Sequence, residues 1–597
     1  MKKISKISSF ILALVMLIVP LSCGFSVTAE AARNEWVCSW ATSIVDSSIS
    51  LASLSVQDII PSDSTIRIEL KVTTGGEKLR FKFSNEHGAA PITISEATVG
   101  RTLGAGDAAV QRDTFAAITF DGNKSVSIPK GETLWSDPVS FETEALEAIS
   151  VTLFFEGTTY ITSAGLSNAR TFLGLGTLVG NDPSHCYNPK ITLPREINIA
   201  ASTITYHTTP FLCQVDTSVP AGTKDVAVFI GDSTLVNDTY YYFAEKLVKG
   251  GIKNVSVINQ AVIGNKLLSD GTGIVGNLYG DALIDRFERD ALNISGVKYI
   301  FVKIGLNDIL HQFSKSMGDV VPHYSTDDII SGYKDLIKRA HAKGIKIYFF
   351  TKSPWKGYER AFLGQTGDVV WNQEMQDMCD ELTRWIKKNI YSDGYIDCSP
   401  LANPADPYAL CPSFTPDGAH LTAIASVALA DLIPVSFVGV DKELKTSAKL
   451  HNVDPYKEKK QIIYDMEHPE EKTTAKQEEP TTSKREESTT AKREEATTAK
   501  REESTTAQAP VTTVPESTTF PNYIPQEIVT VPVIGDVSAT KPQDTPVVTP
   551  NYNITDNIPE QIGNGAPIAF LLVLFLVVII SGAVLFLTMG RKNREEF

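Results

Sequence analysis

Val226-Ala227-Val228-Phe229-Ile230-Gly231-Asp232-Ser233 is the stretch on which the reading of this chain turns. Five apolar residues in a row, closed by a glycine, have the length and lack of alternation of a strand buried on both faces of a parallel sheet. Residues 240–249 follow with helical spacing, Phe243 and Leu247 sharing a side. Ser233 therefore falls at a strand-to-helix turn on the carboxyl end of a strand, where open α/β sheets place their sites. Tyr299-Ile300-Phe301-Val302-Lys303-Ile304 is a second strand-like run, and Ile345-Lys346-Ile347-Tyr348-Phe349-Phe350 a third. Between them an amphipathic helix is expected over 329–343, and another after them over 377–389. Strands alternating with helices predict an α/β domain with a parallel sheet over residues 221–440.

Four short motifs follow one another through that region. They are Gly231-Asp232-Ser233, Asn259 with Gly264, Gly305-Leu306-Asn307-Asp308, and Asp417-Gly418-Ala419-His420. A serine hydroxyl is a weak nucleophile until a neighbouring base takes its proton. His420 is the candidate base. Asp417, three residues earlier, can hold one ring nitrogen while the other faces Ser233. Taken singly, Ser233 reads more readily as a helix N-cap and Asp417-Gly418 as an ordinary surface turn; their order and placement along the chain favour the catalytic reading. An ester-cleaving site also needs donors for a developing oxyanion. The Ser233 N–H, the Gly264 N–H and the Asn307 side-chain amide are the candidates, Gly264 because it lacks a Cβ.

With these residues in place, residues 221–440 resemble the SGNH hydrolases, also called the GDSL esterase/lipase family. The name stands for a Ser, Gly, Asn and His, matched here by Ser233, Gly264, Asn307 and His420. Thr234 and Leu235 follow the serine where many members have a different pair. The resemblance implies a flavodoxin-like three-layer α/β/α fold and ester hydrolysis through an acyl-enzyme on Ser233.

Upstream, the pattern changes. Ile66, Ile68, Leu70 and Val72 alternate with polar neighbours, as do Leu79, Phe81 and Phe83, and turns such as Thr74-Gly75-Gly76-Glu77 separate the runs. Period-two patterning of this kind predicts an antiparallel β-sandwich, placed at residues 33–205. Trp36-Val37-Cys38-Ser39-Trp40 is similar to the start of a corresponding region in SGNH members thought to act on plant polysaccharides. That resemblance implies short acyl groups, acetyl above all, on carbohydrate. A broad carboxylesterase or lipase, and a catalytically idle glycan-binding surface protein, are the alternatives.

The ends of the chain read as an address and an anchor. Lys2, Lys3 and Lys6, an apolar run from Phe10 to Leu21, and Ala29-Glu30-Ala31-Ala32 predict a signal peptide over 1–32. Residues 568–589 carry no charge and are followed by Arg591, Lys592 and Arg594, which predicts a membrane-spanning helix with a cytoplasmic tail at 590–597. Between catalytic region and anchor, residues 451–565 hold octads beginning at Thr473, Thr481, Thr489 and Thr497, then Thr- and Pro-rich sequence. Too little of this is apolar to form a core, so a disordered stalk is expected. The expected location is the outer face of a bacterial cell membrane, with cell-wall attachment as the alternative. A net charge of −15 speaks against nucleic acid as a partner. Gly271-Thr272-Gly273-Ile274-Val275-Gly276 fits a dinucleotide pattern but follows no clear strand, so no nucleotide is expected either. No cofactor and no metal site are expected, since paired C-x-x-C spacing is missing. Six cysteines beyond the leader leave fifteen disulfide connectivities open.

Overall fold

The computed structural model of the protein describes residues 33–469, apart from 52–53, 57, 104–108, 167–168, 181–190, 193, 200–201, 273–275, 316–320 and 363–364. The expected signal peptide, octad stalk, membrane span and tail lie outside the described residues. Among the described residues no helix is long and apolar enough to cross a membrane.

The upstream half is strand-rich. Its strands include β1 (Asn34–Ala41), β2 (Ser64–Lys71), β3 (Leu79–Ser84), β4 (Glu96–Arg101), β5 (Ala116–Ile118), β6 (Thr133–Trp135), β7 (Ala148–Phe155), β8 (Ala169–Leu175), β9 (Ile191–Thr192) and β10 (Leu212–Pro220). They form a four-stranded sheet, β1-β10-β3-β6, and a six-stranded sheet, β5-β4-β7-β2-β8-β9, all pairs antiparallel. Alternation decides which side chains face inward. Ile66, Ile68 and Leu70 of β2 and Val151 and Leu153 of β7 meet Phe81 and Phe83 of β3 in one buried cluster. Residues 151–155 lie on β7, which is paired on both sides by β2 and β4.

The expected end of this half at 205 falls short, because β10 carries it to 220. Gln214 and Asp216 hide that strand in the sequence. Both are buried, with Asp216 accepting from Arg80 at 2.7 Å, from Ser295 at 2.7 Å and from Gln214 at 2.7 Å. A buried carboxylate is tolerable when it is this fully paired.

The downstream half is a parallel sheet between two helical layers. Its strands are β11 (Asp225–Gly231), β12 (Val255–Asn259), β13 (Val297–Lys303), β14 (Lys346–Phe350) and β15 (Gly394–Ile396), ordered β12-β11-β13-β14-β15. This is the 2-1-3-4-5 order of flavodoxin-like folds, whose switch point lies between the first and third strands. Helices relevant to the site are α1 (Thr239–Lys249), α2 (Leu283–Phe287), α3 (Leu306–Gln312), α4 (Thr326–Ala342), α5 (Gln373–Lys388) and α6 (Ala423–Leu432). Val226, Val228 and Ile230 pack with Leu283, Phe287, Leu336 and Leu382 on one face. Ala227 and Phe229, one residue out of phase, pack with Phe243, Leu247 and Leu429 on the other.

A further helix, α7 (Lys457–Glu467), stands where the stalk was expected to be disordered from 451. It is held by its contacts rather than by an apolar face. Tyr456 meets Phe414 edge-on at 5.8 Å, Glu458 accepts from Ser413 N at 2.8 Å, and Lys459 donates to Pro400 O at 2.8 Å. The five described cysteines, Cys38, Cys213, Cys379, Cys398 and Cys411, are free thiols.

Candidate active site

Loops at the carboxyl end of the parallel sheet bring the candidate residues together. Ser233 sits half-buried in the turn that follows β11. Its neighbours fasten that turn. Asp232 Oδ1 accepts from Thr234 N at 2.9 Å and from Thr234 Oγ1 at 2.6 Å, and Thr234 Oγ1 accepts from Lys303 Nζ at 2.5 Å. The departure Thr234 thus ties the serine turn to the end of β13.

His420 reaches Ser233 from the loop before α6. Its Nε2 lies 2.9 Å from Ser233 Oγ, and its Nδ1 lies 2.5 Å from Asp417 Oδ2. Asp417 Oδ1 accepts the backbone N–H groups of Ala419 at 3.0 Å and His420 at 2.9 Å. Partial burial would raise the Asp417 pKa. The hydrogen bond and charge of His420, with those two amides, outweigh it and hold the carboxyl well below the usual range. An ionised Asp417 favours the tautomer with hydrogen on Nδ1, which leaves Nε2 to accept from the serine hydroxyl. A hydroxyl so placed can pass its proton to the imidazole as it attacks a carbonyl.

Gly264 and Asn307 stand on the loops after β12 and β13. Gly264 has φ +63°, and a Cβ there would lie 2.2 Å from the Tyr279 ring. Only glycine lets the loop run this close with that backbone. Asn259, also in the motif set, fixes the start of the loop, accepting from Ala261 N at 3.1 Å and donating to Leu235 O at 3.2 Å. Asn307 donates through Nδ2 to Asn265 O at 3.0 Å, which uses one of its two amide hydrogens. Asp308 accepts from Leu267 N at 2.8 Å and Leu268 N at 3.0 Å, fixing the far end of the same loop. Burial pushes the Asp308 carboxyl up despite those amides.

Two neighbours escape a sequence reading. Lys303 is the only charged residue inside its buried run after Lys298, and that isolation is a signal. Tyr358, whose ring meets the His420 ring edge-on at 5.9 Å, sits in a loop without periodicity and gives none. Between the serine turn and β13 lies a cavity of about 10 Å³, lined by Asp232, Thr234, Lys303, Leu306, Trp355 and Ala419 among others.

Residues 228–433 match the sequence model of the family described as GDSL-like Lipase/Acylhydrolase. This part of the chain belongs to that family. It is a serine ester hydrolase. Solved structures similar to the acylhydrolase include a GDSL-like lipase from Bacteroides thetaiotaomicron VPI-5482, at 16% identity over 37% of this chain and 91% of that one, with a TM-score of 0.26. An acetylxylan esterase from Geobacillus stearothermophilus is similar at 16% identity over 37% of this chain and 96% of that one, with a TM-score of 0.28. An alpha/beta hydrolase enzyme from the metagenome of Lake Arreo, Spain, is similar at 14% identity over 36% and 97%, with a TM-score of 0.27. No curated protein matches the acylhydrolase significantly.

Proposed function

We propose that the protein hydrolyses short-chain acyl esters, acetyl above all, on carbohydrate, with Ser233 as nucleophile, His420 as general base and acid, and Asp417 as the group that orients His420. The hydrogen-bonded chain Asp417–His420–Ser233 is the observation that carries this reading. Ser233 Oγ bonds to the acyl carbon while its proton moves to His420 Nε2. The oxyanion is held by the Ser233 and Gly264 N–H groups and the second Asn307 amide hydrogen. His420 then gives the proton to the departing alcohol oxygen, leaving an ester on Ser233. Water, deprotonated by His420, attacks that ester, and the acid leaves as Ser233 regains its hydrogen.

The short-acyl part of the reading rests on the same subgroup resemblance as its carbohydrate part. The carbohydrate part of the reading rests on the resemblance around Trp36–Trp40. The expected export signal at 1–32 and the apolar segment 568–589 support a position on the outer side of a membrane.

The test is acetate release from acetylated xylan and from an aryl acetate by the full chain, beside Ser233→Ala. Release from both substrates, lost in the variant, is expected. Turnover of the aryl acetate alone would keep the esterase and remove the xylan; preference for long-chain esters would favour a lipase. Glycan binding with no turnover of either would sink the catalytic reading.

A further inference from the structure

Arg286, on α2, is the most heavily bonded buried cation near the site, with 2% of its surface exposed. Its guanidinium donates to Gly231 O at 3.1 Å, to Asn265 Oδ1 at 2.8 and 3.1 Å, to Gln260 O at 2.9 Å, to Ser43 Oγ at 3.0 Å and to Asp290 Oδ2 at 3.1 Å. Asp290 lies one turn along the same helical segment; the other acceptors belong to three separate pieces of chain. Gly231 ends β11, two residues before the nucleophile. Gln260 and Asn265 bracket the loop that holds Gly264. Ser43 follows β1 of the sandwich.

The bond to Asn265 matters most. Asn265 accepts the guanidinium on its side chain, while its backbone oxygen accepts the Asn307 amide. Fixing Asn265 therefore fixes the direction of the remaining Asn307 hydrogen and the path of the chain at Gly264. The sandwich closes the cluster from the other side. Ser43 Oγ lies 2.9 Å from Gln260 O and 3.0 Å from its Oε1. Asp290, the counter-charge of Arg286, is also bonded at 2.7 Å by Arg289, which reaches Glu86 of the sandwich at 2.8 Å. A buried guanidinium is costly unless its donors are satisfied, and a planar fork tolerates only one arrangement of acceptors. The cluster can thus hold the loop in a single place.

We propose that Arg286 is a positioning residue for the oxyanion hole, and that the β-sandwich takes part in catalysis by supplying Ser43 and Glu86 to the cluster that holds it. This rests on the reading of Gly264 and Asn307 as oxyanion donors. Losing an oxyanion donor outright costs about 10²–10³ in kcat, so displacing one costs less.

The experiment uses the full chain with an aryl acetate and with a small alkylboronic acid, which forms a tetrahedral adduct on a reactive serine. Arg286→Lys keeps the charge and loses the fork. It is expected to lower kcat about 10- to 100-fold and weaken the boronate by a similar factor, with KM changed less than about threefold. Ser43→Ala is expected to lower kcat about three- to tenfold and weaken the boronate while the chain still unfolds in one cooperative transition. A merely structural role would lower the active fraction but leave boronate affinity alone. Both variants folded, with kcat and boronate affinity within twofold of the parent, would overturn the proposal. Should Arg286→Lys fail to fold, Ser43→Ala decides by the same criteria. A parent chain with no Ser233-dependent turnover would defeat the functional reading instead.

Discussion

Asp417 stays ionised far into acid because His420 and two backbone amides favour its charged form over the opposing effect of burial. At any ordinary assay pH it therefore presents an acceptor to His420 Nδ1. Asp417→Asn would keep the shape but allow an N–H to face that nitrogen, and the wrong tautomer would leave Nε2 protonated toward Ser233. We expect kcat to fall about 10³–10⁴-fold, the scale seen when a triad aspartate becomes asparagine, with KM little changed in steady-state aryl acetate assays. A loss below tenfold would show that His420 is oriented by something else. Gly418 is a second sensitive point. It has φ +97°, and a Cβ would lie 2.5 Å from Tyr358 N. Gly418→Ala should displace the 417–420 loop from the Gly357–Tyr358 backbone and lower kcat at least about tenfold, since misplacement of about 1 Å can cost 10²-fold. Full activity in that variant would show that the loop yields elsewhere. Legibility at this scale follows chemistry. Ser233, Asp417 and His420 are readable because ester cleavage by a serine needs a base and a carboxylate to orient it, and the structure places the three within hydrogen-bond reach. Arg286 is not, since Asp285-Arg286-Phe287-Glu288-Arg289-Asp290 has the look of a solvated helix face.

At the scale of elements, the short helix α2 runs on into a π-helical turn, Glu288–Leu292, and that change of winding accompanies the burial of Asp290 next to both arginines. Burial alone would raise the Asp290 pKa, but Arg289 and Arg286 bring it below the ordinary value. A carboxyl depressed in the folded state adds stability above its unfolded pKa of about 3.9, and that contribution is lost as pH falls below it. Asp290→Asn should therefore cost about 3–5 kcal/mol at pH 7, the price of stranding a buried charge. The difference in urea midpoint between parent and variant should narrow at pH 3, below the unfolded pKa of about 3.9, because there the unfolded chain takes up the proton more readily than the folded one. A gap of equal size at both pH values would exclude Asp290 as the titrating group. By contrast, α4 begins with a reciprocal cap between Ser325 and Asp328 on an exposed surface. Ser325→Ala should cost about 1 kcal/mol in denaturant and leave kcat unchanged. The long elements are legible because hydrophobic period alone specifies them: 226–230 reads as a strand buried on both faces, and the two core clusters divide its residues by parity. The π-turn and β10 are not legible, because each is held by buried polar pairs that a hydrophobic pattern counts against burial.

For the whole molecule, the boundary between sandwich and hydrolase in sequence is not a boundary in packing. Val37, Cys38 and Ala41 of β1 and Val219 of β10 are buried in the same cluster as the core of the hydrolase sheet. Cys38 N donates to Ser295 O at 2.9 Å, Ser256 Oγ donates to Cys38 O at 2.7 Å, and Val257 N donates to Thr73 Oγ1 at 3.1 Å. The sequence tells the halves apart in kind, since one alternates with period two and the other does not, but it ends the first before β10. It cannot show that an edge of the first completes the core of the second, because that information lies in pairings across some two hundred residues. Full burial of a valine-sized side chain is worth about 1.5–3 kcal/mol, so loss of these four would remove roughly 5 kcal/mol or more. Net stabilities are about 5–15 kcal/mol, and the Arg286 cluster would also lose Ser43 and Glu86. A fragment beginning at 221 and ending at 469 should therefore bind a hydrophobic dye, unfold without a cooperative transition and show no Ser233-dependent turnover, whereas 33–469 should unfold cooperatively and turn over. Cooperative unfolding of the short fragment with full kcat would refute both the shared core and the catalytic part assigned to the sandwich. Cooperative unfolding with a low kcat and weak boronate binding would separate them, leaving the hydrolase able to fold alone and the sandwich needed only to seat the oxyanion loop.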